Sequence, residues 1–180
     1  MVMSTEPKDL DTYFKILGGV QDQTRFADGK AVFVAALNAL LFGFMSRHFE
    51  SLKPIHATCQ ASHLACWLLF MFFAAYVVAS LLSLGFVIWA VMSRFGELAP
   101  RSKVFFGHIA RDYGNDCEKY VRETNGMMDA DWARDLGSQI VEVSHITLAK
   151  HKGVRRAAIC VFIALILWFV SFAFLFIMSP

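Results

Sequence analysis

The residues of this chain best suited to hold a metal are His56, Cys59, His63 and Cys66, spaced by three, four and three. On a helix that spacing lays them along one face, and neighbouring pairs have a separation at which helical ligands chelate. The outer two then stand ~15 Å apart, too far for one ion. A Cys59–Cys66 disulfide needs Cα atoms within ~7 Å, which seven residues of helix forbid and a nonhelical loop permits. Packing at a membrane interface is the expected role, with no metal site and no cofactor. His108 and Asp112 stand at i and i+4, able to orient each other, and read as a surface contact. No phosphate-cradling GxxxxGK, no GxSxG and no HExxH occurs, so no catalytic residue is assigned and no enzyme is expected.

The remaining chemistry is charge and one amide. Lys150, Lys152, Arg155 and Arg156 cluster ahead of an apolar run that ends the sequence. Their expected role is to bind anionic headgroups and fix topology, with Lys30 doing the same at an earlier run. The sharper reading is a pocket for an anionic ligand, assisted by Arg101, Lys103, Arg111 or Arg134. Asn38 sits inside an apolar run, where its amide needs a partner. Asn38 of another copy, or a hydroxyl such as Ser80 or Ser83, would serve for membrane association; an internal helix contact would serve equally.

The elements that hold these residues follow from composition. Hydrophobic residues make up 57% of the 180 and charged residues 18%, with 18 Phe, against a usual ~45–50% and ~25%. Three stretches carry no Asp, Glu, Lys or Arg: Ala31–Ser46, Cys66–Ser93 and Ala157–Pro180. A helix needs ~20 apolar residues to cross ~30 Å of hydrocarbon. The second and third suffice alone; the first is completed by Lys30 and Arg47 reaching the two interfaces. A soluble fold is excluded because the 63 residues from Arg94 to Arg156 cannot cover three such helices. The first 29 residues carry eight charged side chains, so no secretory signal peptide is expected. The spans contain no ionisable side chain apart from Cys and Tyr, which argues against an ion-coupled transporter.

Lys and Arg number four up to Lys30, two in the first loop, eleven from Arg94 to Arg156 and none after. Cytoplasmic segments are enriched in both. The expected protein is therefore multi-pass in the cell inner membrane, with the N-terminus and residues 94–156 cytoplasmic. The expected fold is all-α: an integral membrane protein with three transmembrane helices, an N-terminal amphipathic helix and a cytoplasmic helical segment between spans two and three. Its parts are a cytoplasmic arm (1–29), a transmembrane hairpin (30–93), a helical sensor region (94–156) and a third span (157–180).

Along the chain, Leu10, Phe14, Leu17, Val20 and Phe26 give the arm a partial apolar stripe, weakened at Gly18-Gly19. Span two, His63–Met92, should stop near Gly96, before Pro100. Helices are expected over 102–113, with a break at Gly114-Asn115, and over 116–124, with a turn at Asn125-Gly126. Asp131 can cap the next helix. There Trp132, Leu136, Ile140, Val143 and Ile146 form one apolar face, which runs directly into span three.

Three pieces in order carry a family likeness: Asp28-Gly29-Lys30-Ala31 entering span one, Phe105-Phe106-Gly107-His108-Ile109-Ala110 after span two, and Gln139-Ile140 with Ser144 and Lys150 before span three. Over roughly 13–178 the chain resembles the transmembrane effectors of the Pycsar antiphage systems. The resemblance implies a protein that responds to cyclic CMP or cyclic UMP, made by a cognate cyclase that senses phage. It also implies that the protein impairs the inner membrane and so causes abortive infection. Its partners would be lipids, the cyclic mononucleotide and further copies of itself, not nucleic acid. A cyclic mononucleotide is a monoanion suited to cationic, aromatic and amide groups. Phe105, Phe106, His108, Arg111, Gln139 and Lys150 are chemically suitable contacts. The competing reading is a constitutive membrane scaffold or assembly factor that binds a cytoplasmic partner.

Overall fold

The computed structural model describes residues 9–49, 63–92 and 102–178, which are 92% helical, in five helices and without strands. α1 runs over Leu10–Phe49, 40 residues long. Its first turn is closed by Asp9, whose carbonyl accepts from the Thr12 N–H at 2.8 Å and whose carboxylate accepts from the Asp11 N–H at 3.3 Å. Gly18 and Gly19 do not interrupt it: each weakens a helix by about 1 kcal/mol, too little to open a helix propagating on both sides. The amphipathic arm and the first apolar run are therefore one element.

α2 spans His63–Val91. It ends about five residues before the stop expected near Gly96, since Met92 is already outside the helix. α3, Phe106–Tyr113, begins four residues later than the sequence predicts. Ser102 accounts for the delay: its hydroxyl accepts from the N–H groups of Val104 and Phe105 at 3.1 and 3.2 Å, a local arrangement that competes with helix. The break after Tyr113 is at Gly114, with φ +54°. Glycine enters that left-handed region without a Cβ penalty, and the Gly114 N–H bonds back to the Ala110 carbonyl. α4, Cys117–Asn125, is capped by the Asp116 carboxylate, which accepts from the Lys119 N–H at 2.9 Å. α5 runs unbroken over Asp129–Met178, 50 residues. Asp131 acts one turn in, its carboxylate accepting from the Met128 N–H at 3.4 Å, the return half of a capping box.

α1, α2 and α5 are each long and apolar enough to cross a membrane. Only 22%, 28% and 22% of their most apolar windows is buried. Phe33, Trp67 and Phe162 point outward, a display of apolar surface that fits lipid and not water.

The chain divides into two compact units. Among the described residues one comprises 9–26 and 102–149. Here α1 meets α5 where the Thr24 and Thr147 hydroxyls approach to 2.5 Å. Leu17, Tyr113 and Leu136 are buried within this unit. The other comprises 27–49, 63–92 and 150–178. Its core is made of alanines and valines with one leucine: Ala31, Val34, Leu41, Val87, Ala90, Val154, Ala157 and Val161. A second cluster joins Met45, Tyr76, Ala79 and Ala164. Alanines at these crossings let the helices approach closely, the usual means of packing in lipid, where burial itself drives nothing.

Candidate functional site

Phe105 caps α3 with extended backbone and meets the His108 ring edge-on at 5.1 Å. The Ser102 N–H donates to His108 Nδ1 at 3.0 Å, which makes Nδ1 an acceptor and orients the imidazole. Arg111, on the same helix, is exposed and its Nε donates to Asp112 at 3.0 Å. Gln139, on α5, is 3% exposed and its amide reaches Glu142 only at 3.5 Å. It is a buried polar position rather than a solvated one. The Phe106 side chain lies outside what is described.

Lys150 belongs to the other unit. Its ammonium donates to both carboxylate oxygens of Asp28, at 2.7 and 2.9 Å, and its side chain is only 12% exposed. Two of the sequence pieces that carry the family likeness thus meet as an ion pair. Lys30, Lys152, Arg155 and Arg156 are exposed. The Arg156 guanidinium lies over the Phe86 ring at 5.9 Å, an arrangement in which an aromatic face stabilises the cation.

Asn38 is 1% exposed, and its amide donates to the main-chain carbonyl of Ser80 at 2.9 Å rather than to a hydroxyl. Ser83, also buried, donates to the Ala157 carbonyl at 3.1 Å. Both contacts are internal. His56 and Cys59 fall outside the described residues. Cys66 is disulfide-bonded, where packing was expected of it, while Cys117 and Cys160 are free.

One polar cluster was not foreseen. The Tyr113 hydroxyl donates to Glu123 at 2.6 Å, and the Lys103 ammonium reaches both the Tyr113 oxygen and Glu123. The Lys103 N–H also bonds Asp135 at 2.8 Å, and the Tyr120 hydroxyl donates to the Lys103 carbonyl at 3.0 Å. The cluster therefore ties the Ser102 turn, α3, α4 and α5 together. The Lys103 ammonium and the Tyr113 hydroxyl hold the Glu123 carboxyl below its ordinary range. Glu123 and then Tyr113 raise Lys103, and the bond to Glu123 raises Tyr113.

The signs set the pH window. A depressed carboxyl contributes stability above its unfolded value and loses it as pH falls through the folded one. A raised ammonium contributes below its unfolded value and loses it as pH rises through the folded one. The expected result is that Glu123→Gln lowers the thermal midpoint at neutral pH and flattens the acid limb of the midpoint–pH curve. The effect is small, because solvent screens both partners. An acid limb unchanged from wild type would remove Glu123 from this role.

No curated protein and no solved structure matches the chain. The family of the Pycsar effector protein domain, PycTM, matches residues 12–177. That match takes in all five helices but for the outermost residues of α1 and α5, and with three helices able to cross a membrane the chain belongs to the Pycsar effector family.

Proposed function

We propose that this Pycsar effector responds to a cyclic pyrimidine mononucleotide, cyclic CMP or cyclic UMP from a cognate cyclase, by impairing the inner membrane without catalysis. The outcome is abortive infection. The observation that carries the reading is the family match across the whole helical frame. The candidate contacts are Phe105, Phe106, His108, Arg111, Gln139 and Lys150, with copies of the chain associating in lipid. Expression with each cyclic nucleotide, while membrane potential is followed, tests it. Collapse of the potential with one of them is expected; unchanged potential with both, in an inserted protein, overturns the response.

In this reading the N-terminus and residues 94–156 face the cytoplasm. The excess of Lys and Arg there supports it. So does the Cys66 disulfide near the start of α2, since disulfides persist on the oxidising side of the membrane. Cys117 is exposed and free and supplies the check. In intact cells a membrane-impermeant maleimide should leave the Cys117 peptide unmodified and label it after permeabilisation, read by mass spectrometry. Labelling before permeabilisation would invert the topology.

A further inference from the structure

Tyr76, Ser80 and Ser83 recur at intervals of four and three along α2, so they share one face. All three are 0% exposed. Asn38 of α1 closes on this face through the Ser80 carbonyl, and α5 closes on it through the Ala157 carbonyl that Ser83 engages. A polar seam about 10 Å long therefore lies where the three helices meet. Its hydrogen bonding is incomplete. Asn38 Oδ1, the Tyr76 hydroxyl and the Ser80 hydroxyl are fully enclosed and have no hydrogen-bond partner among the described residues. The Tyr76 and Ser80 hydroxyls are neighbours close enough to act on each other, but no hydrogen bond of good geometry completes either of them or Asn38 Oδ1.

We infer that this seam is a water-binding site inside the membrane-embedded unit. The three open atoms are an amide acceptor and two hydroxyls, each able to donate and accept. Tyr76 packs in a cluster with Met45, Phe73, Ala79, Ala164 and Trp168, and hydrocarbon offers nothing polar. Water carries two donors and two acceptors and binds where two to four polar groups converge. No charged side chain joins the seam, so a neutral ligand fits it better than an ion. The inference rests on α1, α2 and α5 being embedded in lipid and is independent of the nucleotide response.

The test uses the full chain, labelled with nitrogen-15, in lipid nanodiscs. Magnetisation transfer from water to the Asn38 carboxamide is measured, with that signal identified by its loss in Asn38→Leu or, if that variant does not insert, by its displacement in Ser80→Ala. The exposed Gln21 and Gln23 serve as positive controls. Transfer to Asn38, reduced in the double variant Tyr76→Phe/Ser80→Ala, is expected. Transfer to the controls with none to Asn38 overturns the site. Stability gives a second reading. Ser80→Ala removes a partner of the bound water and should lower the thermal midpoint. A raised midpoint likewise sinks the inference.

Discussion

Gly153→Ala is expected to lower the thermal midpoint of the solubilised protein, while Gly137→Ala, in the same helix, raises it. Both glycines lie inside α5, and each replacement gains about 1 kcal/mol of helix propensity. Their surroundings decide the sign. A Cβ at Gly137 meets nothing within 4 Å. A Cβ at Gly153 meets the Trp89 ring at 2.8 Å and the Ala90 methyl at 2.9 Å. The ring can swing aside, but the methyl of Ala90 moves only with its helix. Overpacking of this kind costs about 1–3 kcal/mol, so the clash outweighs the propensity gain, and Gly153→Leu should lose the packed unit altogether. Thermal unfolding of the two alanine variants side by side is the check. A rise for both would mean that α2 and α5 do not cross at Gly153.

Asp28→Asn should destabilise the protein by about 1–3 kcal/mol, the range for a hydrogen bond to a charged group left unmade. Lys150→Met should cost less. The asymmetry follows from exposure: the Lys150 side chain is 12% exposed and that of Asp28 is 42%. Stripped of its carboxylate, the ammonium stays largely dry, whereas a carboxylate stripped of its ammonium regains water. In the Lys150→Met background, Asp28→Asn should have almost no further effect, and that double-mutant cycle isolates the pair. Equal losses that simply add would show that the two side chains do not interact. Under the proposed function, Asp28 also competes with an anionic ligand for Lys150. Asp28→Asn should then lower the nucleotide concentration at which the membrane depolarises.

Much of the fold was legible because its signals are local. Three charge-free runs, the opening of a short helix at Asp116, the break at Gly114 and the turn at Asn125-Gly126 each depend on a few neighbouring residues, and the structure has all of them. The start of α3 was misplaced because the Ser102 hydroxyl captures two backbone donors, a choice that periodicity does not register. The candidate site was less legible. Lys103, Tyr113 and Glu123 stand ten residues apart in the sequence, and the turns at Ser102 and Gly114 fold them together. The same holds for Asp28 and Lys150, whose separation of 122 residues leaves no spacing to read. Asn38 declared its need for a partner through its apolar surroundings. The partner proved to be a carbonyl, a group every residue carries and no sequence pattern marks.

The outward-facing rings of Phe33, Trp67 and Phe162 divide the labour of the apolar helices in an unfamiliar way. Truncating them opens no internal hole, so a melting curve should barely register the loss. What changes is how the bundle grips its solvent: depth, tilt and the bilayer thickness it prefers. Those positions are thus handles for retuning the protein's fit to a host membrane while its interior stays as it was.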